Sequence, residues 1–287
     1  MRYYHLILSA VFIFTVKSSY AFDPVKHRDI TLQAFVLFEQ CNNLLPQLNM
    51  PFSQTDRQQI ANTTRDIDAL TVSRLLNWHF YDLGYNDKTK QVGTIKPRWG
   101  LINRSLHKHY LDIYETLKAK TSVNIKQDVT EEVGELMHFI QDMAVPAHVM
   151  PIFHVYGLSD PFDSYEPESM PLISIDQSTC QSFLDDKSTA VDILRNSAEQ
   201  TLKTVKQQEN NRSPWHNYWL PNSKTTSKDG FGRYGICGRK GFGISAQKPC
   251  DLTEVDYDRF YIQQHRAAVH NSVRLLFHLY HLTLNQN

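Results

Sequence analysis

The chain has 287 residues, of which 41% are hydrophobic, 21% charged and 11% aromatic, with 11 Gly and 12 Pro; collagenous, coiled-coil and low-complexity classes are excluded. Thirty basic residues balance thirty acidic ones, which argues against a general electrostatic grip on nucleic acid or on an anionic membrane. A chain of this length buries about three quarters of its unfolded surface, enough for a sizeable core.

Residues 1–21 read as a secretory signal peptide. Arg2 gives a basic start, Leu6 to Val16 is apolar apart from Ser9 and Thr15, and Ser19 and Ala21 are small residues at minus three and minus one. The run is shorter than the roughly 20 apolar residues that cross a bilayer, and no later stretch approaches that length. The expectation is a secreted or periplasmic protein whose mature N-terminus is Phe22. Removing Arg2 and Lys17 leaves 28 basic against 30 acidic residues, a mature charge of minus two.

From there on the 3.6-residue period recurs and the 2-residue period does not. Ile30 to Leu45 is an apolar-rich helical stretch. Leu101, Leu106, Tyr110, Ile113, Tyr114 and Leu117 form a second stripe. Asp128, with Glu131 three residues on, resembles a capping box and opens a helix carrying Val133, Leu136, Met137, Ile140 and Met143, which Pro146 should end. Val191, Leu194, Ala198, Leu202 and Val205 give another helix, and Tyr257 to Leu284 a long last one. Five or more helices without a convincing strand predict an all-α fold: a single compact multi-helix domain over residues 22–287.

Between Gln208 and Leu252 the composition shifts to Gly, Lys, Ser and Asn, which predicts a long irregular insertion over 208–252. Gly230, Gly232 and Gly235 match G-x-G-x-x-G, but no strand precedes them and no helix follows, so flexible loop is the reading. Four cysteines, Cys41, Cys180, Cys237 and Cys250, suit up to two disulfides in an exported chain, with Cys237 to Cys250 expected because a local loop closes most easily.

The chemistry-bearing signal is the run HFIQDMAVPAH, in which His138 and Asp142 stand four apart and His148 follows six later. Residues at that first spacing project from one helix face toward one point, whereas Pro146 swings His148 out of register. Alone, such a pair is ordinary helix surface, but it has company. His79 sits among large apolar and aromatic residues, Asp66 and Asp68 lie 13 and 11 residues before it, and His27 lies five after Phe22, whose free amine and carbonyl would chelate a cation once the leader is removed. His107 and His109 read as an exposed helix face, and His265, His270, His278 and His281 as packing or solvated positions of the last helix.

This combination resembles the zinc-dependent phospholipase C and S1/P1 nuclease superfamily, secreted all-α enzymes with three zinc ions in one cleft. The resemblance spans residues 22 to about 166. It implies that Asp66, His79, His138 and Asp142 hold one zinc, with Asp66 preferred to Asp68, and that Asp142 bridges to a second held by Phe22 and His27. Asp142 and Asp66 are then the carboxylates of the reacting centre. The third site departs from the pattern, because Phe162 stands where a histidine is expected. His154 and Asp163 are expected to join His148 there, with Glu166 and Asp160 as alternates, and two zincs rather than three is also open. Imidazole and carboxylate suit zinc, and such clusters act on phosphodiesters without a nucleophilic side chain. The implied activity is phospholipase C, suggested by the text from His79 to Asp82 and by aromatic residues able to hold a quaternary ammonium, with peripheral contact to a membrane surface. A nuclease or 3'-nucleotidase, favoured by the Phe22 to His27 spacing, is the alternative. A zinc-holding interaction module without catalysis is the third.

Overall fold

The computed structural model describes residues 24–68, 79–81, 106–122, 128–152, 160, 162–163, 165–206, 215–220, 232–235, 237 and 252–284. Helix α1 (Pro24–Leu44) buries the stripe Ile30, Ala34, Leu37, Phe38 and Cys41. Helix α2 (Gln54–Asp66) starts at a capping box, in which Ser53 and Asp56 satisfy each other's backbone N–H, and buries only Ile60, Ala61 and Thr64. Helix α3 (Leu106–Ser122) carries the second stripe from Leu106 to Leu117, while Leu101 lies outside the described residues. Helices α4 (Thr130–Asp142), α5 (Pro146–Val149), α6 (Gln177–Asp185), α7 (Ala190–Lys206) and α8 (Glu254–Leu284) complete the all-α architecture among the described residues. None of these helices is long and apolar enough to cross a membrane.

Helix α4 is the axis of the fold, packed against α1, α2, α3, α7 and α8. Every residue from Leu136 to Asp142 is buried, so the polar side chains of His138, Gln141 and Asp142 lie inside the core. Its start differs from the expected capping box. Asp128 Oδ1 instead accepts from both the N–H and the hydroxyl of Thr130, two residues on, and Glu131 sits in the first turn without returning the bond. Gly134 is where α2 crosses, and a Cβ there would stand 2.5 Å from Thr63 Cβ. The missing side chain permits the approach at a helix-propensity cost of about 1 kcal/mol. The helix ends at Asp142 rather than at Pro146. Val145 N donates to the Asp142 carbonyl to make an elbow, and Pro146 begins α5, where its lack of an N–H costs nothing.

The described part of 208–252 is not irregular throughout. A 3₁₀ turn (Trp215–Asn217) leads into strand β1 (Trp219–Leu220), which pairs antiparallel with β2 (Arg233–Tyr234) in the register Trp219 to Tyr234 and Leu220 to Arg233. Three buried aromatics, Trp215, Tyr218 and Trp219, anchor it to the α8 residues Tyr257 and Phe260. Close backbone approach explains two of the three glycines, since a Cβ on Gly232 would meet the Leu220 carbonyl at 2.4 Å and one on Gly235 the Asn217 carbonyl at 1.8 Å. Cys41 and Cys180 form a disulfide joining α1 to α6. Cys237 is also disulfide-bonded, while its expected partner Cys250 lies outside the described residues.

Candidate metal centre

His27 from α1, Asp68 beyond the end of α2, His79 from the segment 79–81, His138 and Asp142 from α4, and His148 from α5 converge in one cluster, none more than 8% exposed. Three overlapping trios each bring one donor atom per residue within 4.8 Å of the others: His27, His138 and Asp142; Asp68, His79 and His138; His79, Asp142 and His148. The separations are informative. His27 Nε2 lies 3.5 Å from Asp142 Oδ1 and 3.7 Å from Asp68 Oδ2, and His138 Nε2 lies 3.5 Å from Asp142 Oδ2 and 3.7 Å from Asp68 Oδ1. Four ligands at the usual zinc distance of 2.0–2.1 Å in a tetrahedron stand about 3.3 Å apart, so these donors are near the edges of such a figure. His79 Nδ1, 2.7 Å from Asp142 Oδ2, is instead at hydrogen-bond distance.

Ring orientation is fixed by main-chain carbonyls. His138 Nδ1 donates to the Thr64 carbonyl at 2.9 Å, and His148 Nδ1 to the His79 carbonyl at 2.8 Å. A carbonyl has no proton to give, so each ring carries its hydrogen on Nδ1 and keeps its lone pair on Nε2, the arrangement usual behind metal-ligating histidines. Asp142 presents Oδ1 to His27 and Oδ2 to His79 and His138, placing one oxygen before each of two donor sets.

Burial, and then the neighbouring His138, lowers His27 to about 4, and burial likewise lowers His138 to about 4. Burial alone would raise Asp142, but the rings of His138, His148 and His79 outweigh it and hold that carboxyl well below its ordinary value. Asp163 is pushed well up by burial and by the carboxylates of Asp160, Asp142 and Asp68. Neutral imidazoles facing an ionised carboxylate in a buried space are a donor set for a cation.

The residues predicted from sequence fall in different places. Asp66 points outward with 57% of its side chain exposed and bonds Arg65, whereas Asp68 is buried in the cluster. Two residues of helical backbone turn the side chain by about 200°, so only one of the pair faces inward. Glu166 is 78% exposed and pairs with Lys26, whereas the cluster residues are buried. Asp160 is buried but committed elsewhere, accepting from the Phe162 N–H and from Trp219 Nε1. Asp163 is buried with no hydrogen-bond partner for either carboxylate oxygen among the described residues. Phe162 is a core residue packed on Trp219, Phe260 and Tyr261. Phe22 and His154 lie outside the described residues. Phe80 packs against His148 and Tyr81 against His107. His107 and His109 are half-buried, not exposed, with His109 set against Phe139. Sequence reading also missed the Thr64 carbonyl and Gln141, whose Oε1 meets His27 Nδ1 at 2.8 Å. Only the place of Gln141 beside Asp142 hinted at it.

No protein-family model matches the chain, and no curated protein is significantly similar to it. A solved structure does match. The chain is similar in fold to the alpha-toxin of Clostridium perfringens, from an avian strain. The TM-score is 0.53 at 12% sequence identity, with 94% of this chain and 67% of the toxin chain covered. This likeness establishes the fold, in which helices supply a buried His and Asp cluster compatible with metal ions.

Proposed function

We propose that the protein is an exported zinc-dependent phosphoric ester hydrolase, and specifically a phospholipase C that splits phospholipid into diacylglycerol and a phosphorylated headgroup. The observation that carries this reading is the convergence of four imidazoles with Asp68 and Asp142 in one buried cluster, in which the His27 and His138 donors stand at near-tetrahedral separations from both carboxylates. The motif resemblance and the likeness to alpha-toxin support it. Asp68, His79, His138 and Asp142 would hold one zinc. His27 and Asp142, with the main chain of Phe22, would hold a second, and His148 with Asp163 and His154 a third. When bound, such ions neutralise non-bridging phosphate oxygens, lower the pKa of bound water to about 7 and stabilise charge on the leaving oxygen. The protein's own residues prepare the ground. The carbonyls of Thr64 and His79 hold a proton on Nδ1 of His138 and His148, and the buried Asp142 carboxylate stays ionised between both donor sets.

The test offers the mature chain beginning at Phe22 phosphatidylcholine vesicles, single-stranded DNA and a 3'-nucleotide, each with and without a zinc chelator. Chelator-sensitive release of phosphocholine is the expected result. Chelator-sensitive cleavage of the nucleic acids alone would move the protein to the nuclease branch. A zinc-loaded chain inert toward all three would refute a hydrolase and leave an interaction module.

A further inference from the structure

The chain of hydrogen bonds behind His27 runs through four helices. At its far end Thr64 Oγ1 donates to the Ala61 carbonyl at 2.8 Å, since a carbonyl can only accept. Thr31 Oγ1 donates to Thr64 Oγ1 at 3.2 Å, and Ser272 Oγ donates to the Ala268 carbonyl at 2.9 Å. With those protons committed, the oxygens of Thr31 and Ser272 offer only lone pairs to Gln141, whose Nε2 donates to them at 2.8 and 3.4 Å. The Gln141 amide is therefore oriented with its oxygen toward His27, where it accepts from Nδ1 at 2.8 Å. A flipped amide would set its oxygen against two hydroxyl oxygens with no proton to give. His27, Thr31, Thr64, Gln141 and Ser272 are each no more than 0% exposed.

We propose that Gln141, locked by Thr31, Thr64 and Ser272, is a positioning residue that fixes the tautomer of His27. The ring proton is held on Nδ1, so the Nε2 lone pair faces Asp142 Oδ1 at 3.5 Å and Asp68 Oδ2 at 3.7 Å. Thr64 serves both donor sets: its hydroxyl anchors the relay to His27 while its carbonyl orients His138. The inference rests on the zinc reading above for its consequence, though the tautomer itself is a property of the metal-free chain.

Two readouts test it. In nitrogen-15 spectra of metal-free protein, the His27 ring is expected as the Nδ1-protonated tautomer in the wild type and as a tautomer mixture in Gln141→Met. A wild-type ring protonated on Nε2 would overturn the relay whatever the zinc result. In chelator competition, Gln141→Met should weaken by 10- to 100-fold the same ion that His27→Ala removes, and leave the other ions at wild-type affinity. Unchanged affinity for every ion would overturn the relay while leaving zinc binding intact, whereas a wild type that takes up no zinc would overturn the reading beneath it. Thr31→Val, which removes one lock at nearly constant volume, is read by the same two measurements if Gln141→Met fails to fold.

Discussion

Gly134→Ala sets two effects of opposite sign against each other. Helix propensity alone favours alanine by about 1 kcal/mol. The added Cβ, however, would stand 2.5 Å from Thr63 Cβ, 2.6 Å from Thr63 Cγ2 and 3.1 Å from the Ile60 carbonyl oxygen. Carbon atoms rest about 3.5–4.0 Å apart, so α2 must retreat by about 1 Å. Overpacking of this kind costs about 1–3 kcal/mol. The next residue along α2 is Thr64, whose carbonyl accepts from His138 Nδ1 at 2.9 Å. A retreat of about 1 Å takes that bond beyond hydrogen-bond range and leaves a buried ring N–H unmet, at about 1–3 kcal/mol. The two losses exceed the gain, for a net destabilisation of about 1–5 kcal/mol. Urea unfolding in excess chelator reads the stability, and chelator competition reads the zinc affinity; both are expected to fall. A midpoint equal to or above wild type would refute the reasoning, because it would mean that the crossing has slack and that His138 is not oriented by the close approach of α2.

Asp142→Asn removes the negative charge that faces both donor sets, so zinc content by elemental analysis should fall by two ions and turnover should vanish; near-normal zinc and activity would sink the assignment. Asp68→Asn should lower zinc content while Asp66→Asn leaves it unchanged, and the reverse pattern would overturn the placement of the inward carboxylate. Replacing Cys41 and Cys180 by alanine opens a loop with a sequence separation of 139, for which chain entropy predicts a loss of up to about 5 kcal/mol in the unfolding free energy read by urea titration; a loss below about 1 kcal/mol would show that packing alone holds α6 to α1. Burial, and then the nearby His281, lowers His278 from 6.5 to about 4. The unfolded chain therefore binds the extra proton first, and stability in excess chelator should fall as pH drops from about 6.5 to 4, by up to about 1.4 kcal/mol per unit. His278→Gln should flatten that stretch of the curve, and an unchanged slope would count against a neutral half-buried ring.

Where the sequence carried a sustained apolar stripe, the helix was legible: α1, α3, α4, α7 and α8 all announce themselves through residues such as Phe38, Tyr110, Leu136, Leu194 and Val273. Helix α2 buries only Ile60, Ala61 and Thr64, and α6 only Cys180, too little for a periodic signal, and neither helix was predicted. His138 and Asp142 were legible because four residues of helix place them together. Asp68 was not separable from Asp66 without knowing which face of α2 turns inward. The supporting groups were invisible for a different reason. The bond from His138 to Thr64 spans 74 positions and that from His27 to Gln141 spans 114, and nothing local marks either partner. The strand pair β1 and β2 escaped notice because two residues per strand make no alternating pattern.

The elbow at Pro146 also dictates an order of assembly. Residues 79–81 belong to no helix or strand, and two bonds fasten them to a single residue: His148 Nδ1 donates to the His79 carbonyl, and Tyr81 N donates to the His148 carbonyl. A chain made from its N-terminus has released His79 long before His148 exists, and Ser272 later still. The His79 carbonyl therefore has no anchor until the elbow has been made, and the lock on Gln141 stays incomplete until the final helix docks and brings Ser272 to it.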